Sequence, residues 1–484
     1  MTAAPETETP TAEPKNGFDR YFKITERGST VGTEVRGGIV TFVTMAYIVI
    51  LNPIILSATK DVSGYHLPFL QVTAVTALTA GVMTLLFGLV ARLPFALAAG
   101  LGINSFLAFS VVGQVTWPEA MGFVFIEGII IVLLAATGLR RMIFDAVPYQ
   151  LKIAITVGIG LFIAFIGFVD AGFVKSTGQA SPPIGLGTDG SIMSIPTLVF
   201  VITLLGTALL VARKVTAGLL IGLVGGTVLA AVLEAFLHLG AASAKNPGGW
   251  GLSIPALPKQ WVSVPDLGLV GQIDIFGGFA RVGALVGIML VFTLLFSNFF
   301  DAMGTMTGLS KEAGLADDKG NFPNLRSALI VEGFGAVAGG YTSASSNTVF
   351  IESGAGIGEG ARTGFANVIT GVLFLIAMFF TPLVSIVPSE VAAAALVIVG
   401  ALMMSQIREI ELRDFTVLVP VFLTVTVMPL TYSIANGIGA GFISWVFLRS
   451  LTGKAKEISP LLWIVAAGFL IYFARGPIEL MFGK

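Results

Sequence analysis

VFTLLFSNFFDAMGTMTGL, residues 291–309, and SALIVEGFGAVAGGYTSASSNTVFIESGAGIGEGARTG, residues 327–364, decide how this chain folds. An apolar run arrives at Asp301, and a second acid, Glu352, stands in another apolar, Gly-rich run further on. A charged side chain at the centre of a bilayer costs at least ~2.5–3.5 kcal/mol. Two carboxylates kept in such surroundings ask for a functional reason.

The surroundings are membrane-like throughout. Of 484 residues, 55% are hydrophobic and 11% charged, and the mean hydropathy is +0.92. A soluble domain carries about 25% charged residues, so the composition is that of a polytopic membrane protein, with the lipid bilayer as its surroundings. The net charge of −1 gives no sign of a nucleic-acid partner. The absence of cysteine excludes disulfides, thiol catalysis and thiolate metal sites. Only His66 and His238 could act as imidazole ligands, so no metal centre and no cofactor are expected. No GxxxxGK[ST] or HExxH motif occurs, which argues against a nucleotide-driven pump and a zinc protease. GIGEG at 356–360 is too loose a glycine cluster for a dinucleotide site. No paired catalytic constellation stands out, and the protein reads as a non-enzyme.

Residues 1–17 are rich in Pro, Thr and Glu and lack an apolar h-region. They are expected to form a disordered cytoplasmic tail. Apolar windows near the ~20-residue length of a spanning helix then fall at about 37–56, 69–92, 95–115, 117–138, 149–173, 193–212 and 216–239. A polar, Pro/Gly-rich stretch over 241–278 reads as an extracytoplasmic loop. Seven more windows follow at about 280–300, 326–341, 345–358, 362–386, 390–405, 413–430 and 434–450. A last apolar run, 459–476, is either an additional span or an interfacial segment. With the N-terminus in the cytoplasm, the inner loops collect Arg36, Arg92, Arg140, Arg141, Arg213, Arg326, Arg362 and Arg408, while the outer ones keep few cations, such as Lys60, Lys175 and Lys259. That asymmetry obeys the positive-inside rule.

Each half holds an odd number of spans, so the halves have opposite orientation, as in inverted-repeat transporters. The fold class is therefore an all-α polytopic membrane protein of about fourteen segments. A short internal echo sets Asn104-Ser105-Phe106 against Asn347-Thr348-Val349. Windows three and ten are also the irregular ones. LPFALAAGLGIN and GGYTSASSNTVF hold too many Gly, Ser and Thr residues for lipid-facing helices. Broken backbone at membrane depth is tolerated where it lines a cavity or is buried in protein. Each window is expected to run as an extended segment into a half-helix whose N-terminus faces a shared pocket.

Asn298, Asp301 and Thr305 lie at i, i+3 and i+7, on one helix face expected to point at that pocket. Glu352 is placed at the start of the tenth half-helix, where the dipole favours a carboxylate. Asn104 offers donor and acceptors, and Gly100 and Gly102 before it permit close backbone approach. Phe106, Phe299 and Phe350 are the candidates for stacking on a flat ligand, although in a chain with 37 Phe packing is the plainer role. Glu127 and Glu332 read as interhelical ties.

RGGIVTFVTMAYIVILNPIIL, LPFALAAGLGINSFLAF, NFFDAMGTMTGL and SSNTVFIESGAGIGEGARTG, in order and in register, resemble the nucleobase:cation symporter-2 family, in its AzgA-like purine permease branch. The resemblance runs from about Phe18 to Leu451. It implies proton-coupled uptake of purine bases, guanine or hypoxanthine with adenine as a further candidate, across the cell membrane. It also implies a core domain over 18–138 and 279–386 and a gate domain over 145–240 and 388–453. Short antiparallel strands would precede the half-helices of spans three and ten, and homodimers would form through the gate. By motif position the family's span-eight substrate carboxylate falls on Asp301, its span-ten acid on Glu352 and its span-three asparagine on Asn104; together with Gly102, Asn298, Asn347 and Thr348 these are the expected substrate-binding residues, and Asp301 and Glu352 the expected proton-coupling ones. One departure is that related permeases often carry DxFD where this chain has Asn298-Phe-Phe-Asp301.

A carboxylate can accept two N–H bonds from a purine edge. Either Glu352 or Asp301 takes that part in this reading, and the other, preferably Asp301, holds the proton. The rival readings are an anion transporter of the same fold, of the sulfate or bicarbonate kind, and a channel. Acids in the site oppose the first.

Overall fold

Within a bilayer every backbone N–H and C=O must find its partner inside the protein, so the long apolar runs close into helices. The computed structural model describes residues 14, 16–139, 147–179, 181–187, 190–243, 245–251, 253–258, 260–316 and 322–474. Most of the expected tail, and Arg140, Arg141 and Lys259, lie outside the described residues.

The helices are α1 (Gly17–Phe22), α2 (Val31–Met45), α3 (Ile48–Ser57), α4 (Phe69–Leu86), α5 (Leu101–Phe106), α6 (Trp117–Thr137), α7 (Tyr149–Asp170), α8 (Ile195–Ala212), α9 (Gly218–Leu237) and α10 (Gly277–Val282). They continue with α11 (Ala284–Glu312), α12 (Leu325–Thr342), α13 (Ser353–Gly358), α14 (Gly364–Ala377), α15 (Thr381–Val384), α16 (Ser389–Met404), α17 (Phe415–Thr431), α18 (Ile434–Leu451) and α19 (Pro460–Phe473). Four short strands are described: β1 (Leu97–Ala99), β2 (Val174–Ser176), β3 (Ile184–Leu186) and β4 (Asn347–Val349).

Ten helices among the described residues are long and apolar enough to cross a membrane. The chain is a multi-pass membrane protein. Four of the fourteen sequence windows are not among those ten, each for a local reason. Windows three and ten are broken into strand and short helix. α17 has 17 residues and carries Pro420 and Pro429 inside it. α12 has 18 residues but includes Arg326, Glu332 and a run of glycines, which lowers its hydropathy. α19, in the 459–476 run, has 14 residues. At 1.5 Å per residue it is about 21 Å long, short of a ~30 Å hydrocarbon core.

β1 and β4 pair antiparallel, with Leu97 opposite Val349, Ala98 opposite Thr348 and Ala99 opposite Asn347. Two flanking bonds lengthen the ladder, Gly100 N–H to Ser346 C=O at 2.9 Å and Phe350 N–H to Ala96 C=O at 3.0 Å. Both strands are buried. The echo of Asn104 with Asn347 is not kept as a structural equivalence, because Asn347 lies on a strand and Asn104 on the helix that follows one.

The helices pack in two sets. α12 lies on α6, α14 on α2 and α4, α3 on α4, and α13 on α2. α16 lies on α7 and α8, α17 on α7 and α18, and α9 on α8. α11 touches both sets, meeting α6, β4 and α13 on one side and α7 and α18 on the other. Close crossings rely on glycine, the small-residue packing of membrane helices. A Cβ at Gly160 of α7 would stand 2.8 Å from the Gly400 carbonyl of α16, and one at Gly364 would strike the Gly88 carbonyl.

The stretch over 241–278 is tied to the helices rather than loose. Trp250 is fully buried and its indole N–H donates to Glu234 at 2.9 Å. Gly251 N–H donates to Glu390 at 2.9 Å. The β2–β3 hairpin between α7 and α8 carries no sequence signal strong enough to have been expected.

Asp61, between α3 and α4, ties its loop to the start of α6. One carboxylate oxygen accepts from Ser63 N–H (2.8 Å), Ser63 hydroxyl (2.6 Å) and Tyr65 N–H (3.1 Å), and the other from Trp117 N–H (2.9 Å). Burial alone would raise its pKa, but these donors, led by the Ser63 hydroxyl, hold it below the ordinary carboxylate value. Asp61→Asn turns one oxygen into an NH₂ facing N–H donors, so it should lower stability at pH 7 by about 1–3 kcal/mol. Because the native pKa is depressed, this contribution is complete above the unfolded value and disappears as pH falls through the native one. Thermal melts of the purified protein should therefore show variant and wild type converging below about pH 4, and a constant gap down to pH 3 would contradict the account.

Candidate functional site

α11 reaches the middle of the protein as an apolar helix and there presents Ser297, Asn298 and Asp301. Ser297 and Asp301 are four residues apart and share a face. With Gly100, Gly102 and Ile103 at the start of α5, and Ile155, Thr156, Ile159 and Met403 from the other set of helices, they line a cavity of about 20 Å³. Asp301 also lines a larger cavity of about 590 Å³, together with Thr156, Gly304, Thr305, Gly308 and Ile351. That cavity runs between α7, α11 and the end of α16, out to Lys311, Arg408 and Glu409. Asp301 thus stands where a small inner recess meets a ligand-sized space, whose volume falls in the ~300–1,000 Å³ range of small-molecule pockets.

The recess is tight because of Gly102. A Cβ there would come within 2.6 Å of the Ile159 side chain, so glycine lets α5 approach α7. Asn104, further along α5, is fully buried, and neither amide atom has a hydrogen-bond partner. The hydroxyls of Ser297, Ser345 and Thr348 are buried and unpartnered as well. A buried polar group without a partner costs about 1–3 kcal/mol. Several of them around the paired strands are groups that a polar ligand or water would satisfy.

Glu352 is the residue immediately before α13 and is half-buried. Its carboxylate accepts from the Tyr47 hydroxyl, and its backbone carbonyl accepts from the Thr44 hydroxyl at 3.3 Å. Asp301 lies within electrostatic reach of the Glu352 and Glu332 carboxylates. α13 is only six residues long, so its dipole is that of little more than one turn.

The expected common face of Asn298, Asp301 and Thr305 divides. Asp301 and Thr305 line the large cavity, whereas Asn298 turns to α6. Its amide donates to Glu127 at 2.8 Å and to Ser346 Oγ at 2.9 Å, and Ser346 Oγ donates to the same Glu127 oxygen at 3.2 Å. All three are buried, and they bind α6, α11 and the start of β4 together. Asn347 donates to the Ser345 carbonyl at 3.1 Å, close to Gly339 of α12, and Thr348 packs against Gly100. Phe106, Phe299 and Phe350 are core side chains.

Sequence reasoning missed Tyr47, Ser297 and Thr156. Tyr47 had a signal: a lone phenol in the apolar run TMAYIVI needs a partner for its hydroxyl. Thr156 had none, because a Thr in an apolar helix usually bonds back to its own backbone.

With this geometry in hand, the chain can be set beside known proteins. It matches the Permease family over residues 32–440. It is 38% identical to the guanine/hypoxanthine permease PbuG of Bacillus subtilis (strain 168), over 94% of this chain and 98% of that protein. It is 37% identical to the adenine permease AdeP of Escherichia coli (strain K12), over 94% of this chain and 95% of that protein. In fold it is similar to the transmembrane domain of a cyanobacterium bicarbonate transporter, BicA, with a TM-score of 0.57 at 15% identity, covering 86% of this chain and 96% of that one.

The Glu127–Asn298–Ser346 network gives a direct test of the Asn298 position. Asn298→Asp sets a second carboxylate against Glu127, and two such groups in contact cannot both ionise without cost. The variant should melt below wild type at pH 7.5, because the amide that donates to both Glu127 and Ser346 is lost. An equal melting temperature would remove Asn298 from this role.

Proposed function

The chain belongs to this permease family, and we propose that it imports purine nucleobases, guanine or hypoxanthine and also adenine as candidates, by proton symport. The observation that carries the reading is Asp301, a carboxylate lining a cavity of about 590 Å³ between two sets of membrane helices. The purine permeases it resembles over nearly their whole length support the substrate class.

A purine offers N–H donors beside a carbonyl or ring acceptor. A carboxylate accepts two such donors at once, and charge-assisted bonds are the stronger kind. Asp301 or Glu352 takes that part, and the buried amide of Asn104 is the reserve of donor and acceptor for the remaining edge. The other acid carries the proton. Protonation removes a charge from a poorly solvated place and so lowers the cost of carrying the loaded site across the membrane.

In this reading the helices form two inverted seven-segment halves. A core over 18–138 and 279–386 moves as an elevator or rocks against a gate over 145–240 and 388–453, with the N-terminus in the cytoplasm of a cell-membrane protein that pairs through its gate. The two packing sets support such a division. So does the contact between them on the side away from the cavity mouth, where Ser110 donates to the Tyr432 carbonyl at 2.9 Å and Phe109 packs edge-on to the Tyr432 ring at 5.8 Å. That contact would have to part for the site to open the other way. Anion transport, the rival on this fold, would have to place an anion beside the Asp301 carboxylate at the inner end of the cavity, past Lys152, Lys311, Arg408 and Glu409 in its lining.

Asp301→Asn should insert normally yet lose accumulation of labelled hypoxanthine in transport-deficient cells. Competition with adenine, guanine, xanthine, uracil and sulfate identifies the substrate class. Full, proton-dependent accumulation by the variant would remove Asp301 as the proton carrier, and inhibition by sulfate alone would replace the purine reading.

A further inference from the structure

Tyr47 stands at the break between α2 and α3 and is 1% exposed. Its hydroxyl donates to one Glu352 carboxylate oxygen. The backbone under both residues is shared. A Cβ at Gly37 of α2 would stand 2.9 Å from the Gly356 carbonyl of α13, the Thr44 hydroxyl reaches the Glu352 carbonyl at 3.3 Å, and the rings of Tyr47 and Phe350 lie 6.5 Å apart. α2 and α13 therefore form one unit, and the phenol fixes the carboxylate relative to it.

We infer that Tyr47 is a positioning residue for Glu352: its phenol occupies one carboxylate oxygen, aims the other, and sets the pH at which Glu352 takes a proton. Besides its own backbone N–H, the other groups near Glu352 are acidic or distant. Asp301 of α11 lies within electrostatic reach of it, Glu312 at the end of α11 reaches α13 at Gly354, and Arg36 of α2 is engaged by Glu359 at 2.9 Å at the far end of α13. The phenol is thus the side-chain donor at the carboxylate, set among acidic neighbours. The assignment of Glu352 to transport rests on the purine-symport reading; the positioning itself does not.

The test has two arms. In purified protein, the carboxyl infrared band that disappears in Glu352→Gln should titrate at a pH higher by about one unit in Tyr47→Phe, since a hydrogen bond to a charged group is lost. Glu352→Asp, which withdraws the carboxylate from the phenol with the ring in place, should lose the dependence on Tyr47. In cells, the pH of half-maximal hypoxanthine uptake should rise by a similar amount in Tyr47→Phe. Thr44→Val, which removes the hydroxyl's bonds to the Val40, Thr41 and Glu352 carbonyls but leaves the phenol on the carboxylate, should leave both readings in place. An unmoved band in folded Tyr47→Phe, or a shift that persists undiminished beside Glu352→Asp, overturns the inference. If wild type moves no purine while the band shifts, the transport reading falls and the positioning role stands.

Discussion

The structure depends on how two stretches of unwound backbone are satisfied at membrane depth. Each N–H or C=O left without a partner in hydrocarbon costs several kcal/mol. β1 and β4 meet this demand by bonding to each other, with Gly100 and Phe350 extending the ladder. The pairing fixes α5 and α13 relative to one another and brings the chain's two broken segments to the same depth. Small side chains are required there because helices pack on both faces, which is why the stretches read as LPFALAAG and TSASSNTV.

The acids of the apolar runs sort by surroundings rather than by residue type. Glu127 is bound by Asn298 and Ser346 and ties α6 to α11 and β4. Glu234 binds the Trp250 indole and the backbone N–H groups of Leu239 and Gly240. Asp301 faces open volume, and Glu352 is held by a phenol with its residue half-buried. A sequence shows all four as carboxylates in apolar runs, whereas packing gives them different work.

Much of the fold was legible. Window lengths and the Gly/Ser-rich breaks marked most of the helices and the two irregular segments. The site was legible in part. Asp301 and Gly102 share a cavity wall, but the helical face drawn through Asn298 failed, because a 100° step per residue puts Ser297 on the cavity side and turns Asn298 toward α6. The lone phenol of Tyr47 signalled that it needed a partner, but which one stayed hidden, because a contact between positions some 300 residues apart leaves no local pattern. The hairpin between α7 and α8 was hidden because three-residue strands lack enough alternation to register.

The β1–β4 ladder joins positions roughly 250 residues apart along the chain. At a synthesis rate of ~5–20 residues per second, the first strand waits on the order of ten seconds or more for its mate. During that interval the nascent first half carries unsaturated peptide groups inside the insertion machinery or the lipid. The newborn polypeptide must be shielded by a holdase-like insertase or by transient water, and the final third of translation decides whether the earlier part survives quality control.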